Sequence, residues 1–458
     1  MIDFLIVYEV PVREFESISL VGGELKKRGY SVEYLGFEEV QICDYAFNKR
    51  IINKFFNKVN TVLMPSLYHN KELMNIVYYV CGKCVHVVNI RWEQYFSNHN
   101  MEDFTSYLYP HERAMEAFHM CWGKVSRESL LAAGLKDEKL LQAGPVHLDL
   151  LRKQFKGYYL TREELFPQYS INTQDKVVLF ISSFVGATRT ERQRNFDAAD
   201  FDRKYEKNSK DTFSQDSYFE ILHWIELFLK DNPGVTFIYR PHPNENITGF
   251  LQEVAERNEK FKIICDYSVK QWIIDADSVL TWVSTSIVEA CFADVQCSIV
   301  RPIPYEPDKD MCIYKNVRAI DSYSDFSQCL NGNFMHSLKK EELLDYYDFQ
   351  ETPSYKRLCN LIETVVLPSD PFAWDDDLVK AYEKHRPVLW INSLIQGVYM
   401  QFVLKPFSWL KRKYHFKYFS WLDQRCENYN TYITKNRYQK KNRENLIAIQ
   451  NKLLEFMD

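Results

Sequence analysis

The strongest constraint on this chain is a rhythm: short apolar runs alternate with amphipathic segments of helical period, and the alternation is played twice. Phe4–Val7, Ser31–Leu35, Thr61–Met64, Val85–Ile90 and Phe118–Trp122 each suit a buried strand, and Ser17–Arg28 between the first two reads as a helix stopped at Gly29. Past Ser170 the rhythm restarts with Lys176–Ile181. Tyr218, Ile221, Leu222, Ile225, Phe228 and Leu229 then fall on one helical face, closed by Asn232-Pro233-Gly234. Val235–Tyr239, Lys262–Ile264, Ser278–Leu280 and Ser298–Val300 read as further strands. Strands that alternate with helices imply βαβ units, so the expected class is α/β, with parallel sheets covered by helices on both faces. Two successive series predict two Rossmann-like doubly wound domains facing a cleft, with ligands at the carboxyl ends of the strands. A length of 458 residues agrees, since it exceeds what one core supports. The expected divisions are an N-terminal Rossmann-like domain over 1–165, a second Rossmann-like domain over 166–370 and a helical, basic-aromatic tail over 371–458.

Composition excludes several classes. Lysines and arginines number 57 against 62 acidic residues, a net charge of -5, which argues against a nucleic-acid binder. Of 11 cysteines the only close pair is Cys81 and Cys84, and no second pair stands at zinc spacing, so the thiols read as structural in a reducing cytoplasm. The N-terminus lacks the basic region and cleavage site of a signal peptide, and the protein is expected to stay where it is made. The polar stretch Arg189–Asp211 reads as a long loop. In the tail, Pro387–Leu404 carries no charge, yet Asn392, Ser393, Gln396, Gly397 and Gln401 interrupt it, which argues against a membrane span. Lys405–Tyr414, with Phe416, Lys417, Phe419 and Trp421 beyond it, mixes basic residues with aromatic ones, as a segment lying on anionic lipid would. A helix packed on the body with a solvated basic face is the alternative.

Two motifs carry chemistry. Tyr239-Arg240-Pro241-His242-Pro243-Asn244-Glu245 follows a predicted strand, and its prolines hold the turn in one shape. That turn is expected to present Arg240, a planar fork for phosphate oxygens, and His242. Trp282-Val283-Ser284-Thr285-Ser286-Ile287-Val288-Glu289-Ala290 follows another strand, placing the hydroxyls of Ser284, Thr285 and Ser286 at the start of a helix, where free amides favour an anion. Ser286 and Glu289 also fit a capping box; a grip on a nucleotide ribose is the other use of Glu289, and both stay open.

Together these motifs resemble the donor-binding half of GT-B transferases that build bacterial surface carbohydrate and capsule, including Kdo and CDP-polyol transferases. Val12-Arg13-Glu14, Asn89-Ile90-Arg91-Trp92-Glu93-Gln94, and Trp122-Gly123 leading to Gly144-Pro145 are similar to the same family. The resemblance implies a nucleotide-sugar donor of CMP, CDP or UDP type as substrate, with the phosphates on the His-Pro turn and the Ser/Thr helix start. It implies a glycan or glycolipid acceptor, no essential metal or other cofactor, and work at the cytoplasmic face of the inner membrane. One departure bears on the donor. The CDP-glycerol branch carries a His-Gly pair in its N-terminal half, whereas His69, His86, His99, His111, His119 and His147 are never followed by Gly. That turns the expectation toward a CMP-linked ulosonic acid such as Kdo, with a CDP-polyol phosphotransferase and a sugar-nucleotide epimerase of the same fold as alternatives.

A transferase needs a group to take the acceptor's proton or to stabilise an oxocarbenium-like transition state. Glu93, past the Val85–Ile90 strand, is the first candidate and Glu14 the second; pairing with Arg91 or Arg13 is the alternative for each. No metal site is expected. Asp375-Asp376-Asp377 reads as a helix start or solvated loop, and there is neither a P-loop nor a GxGxxG after the first strand.

Overall fold

The computed structural model describes residues 1–37, 51, 53–67, 71–92, 94–97, 109–110, 112–189, 209–332, 338–377, 379–381, 383–384, 391, 395, 398–414 and 420–457. The chain divides into two compact units. The first comprises Met1–Gln94, Phe104–Leu150 and Tyr347–Asp458; the second comprises Tyr95–Asp103 and Leu151–Tyr346. This division differs from the expected boundaries at 165 and 370, and the described residues of the tail group with the first unit.

The first unit is built on six parallel strands in the order β2-β1-β3-β4-β5-β6. These are β1 (Ile2–Tyr8), β2 (Val32–Gly36), β3 (Val59–Met64), β4 (His86–Asn89), β5 (Phe118–Cys121) and β6 (Leu140–Gln142). Phe4 stands beside Val32 on one flank and Thr61 on the other. Phe4, Leu5 and Ile6 are wholly buried, as a strand covered on both faces requires. β6 has three residues, too few for any periodicity to announce it. The first helix runs Pro11–Lys27, starting six residues before the expected Ser17, because Pro11 opens it and the polar Glu14 and Glu16 are buried in its first turns.

The returning chain completes this unit. Phe372 and Trp374 join Val62, Val87 and Tyr78 in its core. The helix Ser354–Leu361 lies against Pro11–Lys27, with Arg28 paired to Glu363 at 2.5 Å. The long helix Ser420–Leu454 runs to the same place, where Lys26 donates to Gln450 at 2.7 Å. Gly23 permits that approach: a Cβ there would sit 3.1 Å from Leu454 and 3.2 Å from Met457. Gly144, at φ +85, is needed for a related reason, since a Cβ would stand 2.5 Å from the carbonyl of Asp348. The Trp122-Gly123 and Gly144-Pro145 segments thus receive the returning chain, and Asp348 donates its amide to the Trp122 carbonyl at 2.7 Å.

The second unit has five parallel strands in the order β11-β10-β7-β8-β9. They are β7 (Lys176–Ile181), β8 (Val235–Arg240), β9 (Phe261–Ile263), β10 (Ser278–Thr281) and β11 (Gln296–Ile299). The helix Ser209–Asp231 buries the predicted stripe of Tyr218, Ile221, Leu222, Ile225 and Phe228 against Phe180 and Phe237. Of the polar stretch Arg189–Asp211, residues 190–208 lie outside the described residues. The chain winds outward from β7 to β8 and β9, then returns to place β10 on the other flank of β7. The strand order therefore reverses between β7 and β10, and the crevice at their carboxyl ends is where a doubly wound sheet binds ligands.

Candidate functional site

At that reversal the strand exits are stitched together. Thr281 donates its hydroxyl to the Ile181 carbonyl at 2.8 Å, and the Val283 amide donates to Ser183 Oγ at 3.2 Å. Ser182 and Ser183 open the loop after β7, so three hydroxyl-bearing or rigid loops leave neighbouring strands on one edge.

The turn after β8 is held from inside. Glu245 is buried; its Oε1 accepts from Tyr239 at 2.6 Å, and its Oε2 accepts from Ser182 at 2.6 Å and from the His242 amide at 3.2 Å. Burial pushes its carboxyl up, against the hydrogen bonds from Ser182 and Tyr239 that lower it. The half-buried His242 accepts the Asn244 amide on Nδ1 at 3.2 Å. A neutral ring held that way carries its proton on Nε2, which becomes a donor. Arg240 departs from the outward presentation expected of it. Its side chain turns inward to the chain beyond β9, donating to the carbonyls of Asp266 at 2.8 Å, Ile264 at 3.5 Å and Tyr267. The cause is local: the carbonyls that follow β9 have no strand to accept from, and the guanidinium satisfies them.

After β10 the Ser284 amide donates to the Tyr314 hydroxyl at 3.1 Å, which in turn donates to the Ser284 carbonyl at 2.7 Å. Ser284 Oγ accepts the Ser286 amide at 3.2 Å. Ser284, Thr285 and Ser286 are all half-buried at the head of the helix Ser286–Phe292. The capping box between Ser286 and Glu289 does not form. Glu289 instead stands 3.0 Å from Lys270 Nζ, with both side chains buried. Two opposite charges withdrawn from water pair with each other before either caps a helix.

In the first unit Glu14, the second candidate, is enclosed. It is 0% exposed; its carboxylate accepts the Glu9 amide at 2.7 Å and the Val10 amide at 3.2 Å, with Arg13 also at 3.2 Å. Burial pushes its carboxyl up more than Arg13 lowers it. A carboxylate so enclosed fixes the β1 turn. Glu93 lies outside the described residues. In the chain before it, Asn89 accepts the Arg91 amide at 3.2 Å and lies 3.1 Å from His119 Nδ1. The buried His119 donates from Nε2 to the Ala114 carbonyl at 2.7 Å, and burial brings its pKa down to about 3. Arg91 adopts φ +41, and beyond it Trp92 Nε1 and both amide atoms of Gln94 are buried without a partner among the described residues. Asp375 accepts the Asp377 amide at 2.9 Å, the helix-start use foreseen for the acidic run.

Sequence reasoning missed Ser182, Ser183, Glu245 as the turn's anchor, Tyr314 and Arg301. The two serines obey the rule that singled out Ser284–Ser286, hydroxyls directly after an apolar run. Arg301-Pro302 after β11 repeats the Arg-Pro pair after β8.

No family model matches the chain, and no curated protein matches it. Solved structures do. The S. aureus MnaA–UDP complex superposes with a TM-score of 0.50 at 12% identity, over 82% of this chain and 100% of that one. The UDP-GlcNAc 2-epimerase from Neisseria meningitidis bound to UDP-GlcNAc gives 0.50 at 13% identity, over 79% and 99%. The wall teichoic acid polymerase TagF superposes at 0.46 with 11% identity, over 86% and 89%. The α/β architecture of two parallel sheets is the GT-B fold.

Proposed function

We propose that the chain is a glycosyltransferase whose second unit holds a nucleotide-activated sugar, which it passes to a growing, lipid-linked bacterial surface polysaccharide such as capsule or lipopolysaccharide. The observation that carries this reading is the single edge on which the β7, β8 and β10 loops gather Ser183, His242 and Ser284–Ser286 at a strand-order reversal. In this mechanism the acceptor hydroxyl attacks the anomeric carbon while the bond to the nucleotide's phosphate oxygen breaks. His242 Nε2–H and the hydroxyls stabilise the negative charge that grows on the departing phosphate. Arg240 acts behind them, locking the turn, and Glu93 takes the proton from the acceptor. The donor class follows from the resemblance: a CMP-linked ulosonic acid such as Kdo.

A second reading is a sugar-nucleotide epimerase, favoured by the UDP-GlcNAc 2-epimerase among the superposing structures. Incubation with the donor alone separates the two. The transferase reading expects no altered sugar nucleotide until an acceptor is added; an epimer formed without acceptor supports the second reading. Replacing His242 with Ala abolishes transfer in a folded protein, and near-normal transfer by that variant overturns the site.

Membrane contact is part of the proposal. No helix among the described residues is long and apolar enough to cross a membrane. Ile391, Ile395, Val398, Phe402 and Trp409 are exposed, and Lys405 and Lys413 are exposed among them, with Lys413 Nζ 4.8 Å from the Trp409 ring centre. Apolar groups flanked by cations support docking on an anionic lipid surface.

A further inference from the structure

We propose that Arg301 and Trp282 form an anion subsite in the second unit that takes the phosphate groups of the donor nucleotide; the inference rests on the nucleotide reading above. Two Arg-Pro pairs leave this sheet, and they are used in opposite ways. Arg240 is consumed by main-chain carbonyls. Arg301 gives Nη2 to Asp310 at 2.9 Å, while its Nη1 is buried without a partner among the described residues. The Trp282 indole Nε1 is buried and unpartnered as well. The Arg301 guanidinium carbon lies 4.7 Å from the Tyr305 ring centre and 5.7 Å from those of Trp282 and Tyr314. The guanidinium and the neighbouring indole each keep a buried N–H donor without a partner among the described residues, and a folded chain rarely leaves such groups unanswered.

The box adjoins the hydroxyl loop. Trp282 directly follows β10, and Tyr314, whose ring faces Arg301, is the residue that grips Ser284 through its hydroxyl. A guanidinium fork and an indole N–H supply donors only, and the Ser284–Ser286 hydroxyls can add more, which is the complement of a phosphate. Among the described residues Asp310 is the carboxylate paired with the guanidinium, and that pair takes Nη2 and leaves Nη1 over. Glu306 is occupied by Lys309 on the same loop. Both donors are closed to solvent. Trp282 and Tyr314 are buried walls, whereas Tyr305 is half-buried and is the wall nearest solvent.

The test is titration calorimetry on the full chain with CMP, CDP and UDP, and with cytidine and uridine as phosphate-free controls. Arg301→Gln should weaken nucleotide binding about tenfold or more, and Trp282→Phe, which keeps a ring and removes the N–H, should weaken it several-fold. Cytidine and uridine should bind all proteins alike. Wild-type binding with unchanged affinity in both variants overturns the subsite, leaving buried water as the partner of those donors. An equal loss for the nucleosides also overturns it. If the wild-type chain binds none of the nucleotides, the nucleotide reading falls and the subsite with it. Circular dichroism melts check folding; should Arg301→Gln unfold, Trp282→Phe decides.

Discussion

The two sheets fasten their carboxyl edges alike and differ in what they leave open. After β1, Glu14 is buried on the amides of Glu9 and Val10; near the end of β8, Glu245 is buried on Tyr239, Ser182 and the His242 amide. In both, an enclosed carboxylate turns a loop into a fixed surface. The open groups then diverge. At the first edge the Trp92 indole and the Gln94 amide stand beside the buried Arg91 guanidinium; at the second, Arg301 Nη1 and the Trp282 indole stand with three half-buried hydroxyl residues. In our reading, the hydroxyl residues after β10 suit phosphate, and the amide and indole of the first edge suit the hydroxyls of a sugar.

The sharpest way to test that contrast is the buried Lys270–Glu289 pair. Removing either partner alone, Lys270→Ala or Glu289→Ala, should cost about 3–5 kcal/mol in denaturant unfolding, because the other charge is stranded. The double variant Lys270→Met with Glu289→Leu should recover most of that loss. If it also recovers nucleotide affinity, Glu289 has no contact with the ribose.

Next in size are the two anchors. Glu14→Ala and Glu245→Ala should each destabilise by about 2–4 kcal/mol, since each strands buried donors. Only the Glu245 variant should lose nucleotide affinity. Equal losses of affinity, or none, break the comparison.

The division between legible and illegible follows the same line. Long apolar runs and the Tyr218–Leu229 stripe declare themselves because burial on one face imposes a period. β6 and the early start of the first helix do not, being too short or too polar. The tail's place in the first unit was hidden because Phe372, Trp374 and Gly23 gain their meaning only from partners far along the chain. At the site, position was readable from hydroxyls after strands, and side-chain direction was not. Arg240 and Arg301 share an Arg-Pro context and end in opposite uses, decided by which carbonyls or carboxylates lie nearby.

Acid should separate the units further. His119 and His86, both in the first unit, are held below the ordinary histidine value by burial. The unfolded chain therefore binds more protons below pH 6.5, so these residues' contribution is complete above that pH and is lost as pH falls toward about 3 for His119. The slope is about 1.4 kcal/mol per pH unit for a single site. Asp275 in the second unit has its pKa raised to about 6, and its contribution runs the other way, falling as pH rises through that value. Hydrogen exchange corrected for intrinsic rates at pH 7 and pH 5 should show the first unit loosening first, and His119→Gln should flatten that dependence.

The smallest stability effect should come from the tail. Phe402→Ser with Trp409→Ser, both exposed, should shift unfolding by less than about 0.5 kcal/mol. The same change should release the protein from sedimenting phosphatidylglycerol vesicles. Retained binding would remove these side chains from the membrane proposal.

The central claim, a nucleotide site on the carboxyl edge of the second sheet, is tested most directly by calorimetric titration of the full chain with CMP, CDP and UDP, in wild type and in His242→Ala. The account predicts saturable binding of at least one nucleotide by the wild type, lost in a variant whose melting is unchanged. Absence of binding for all of them, or binding indifferent to His242, would contradict it.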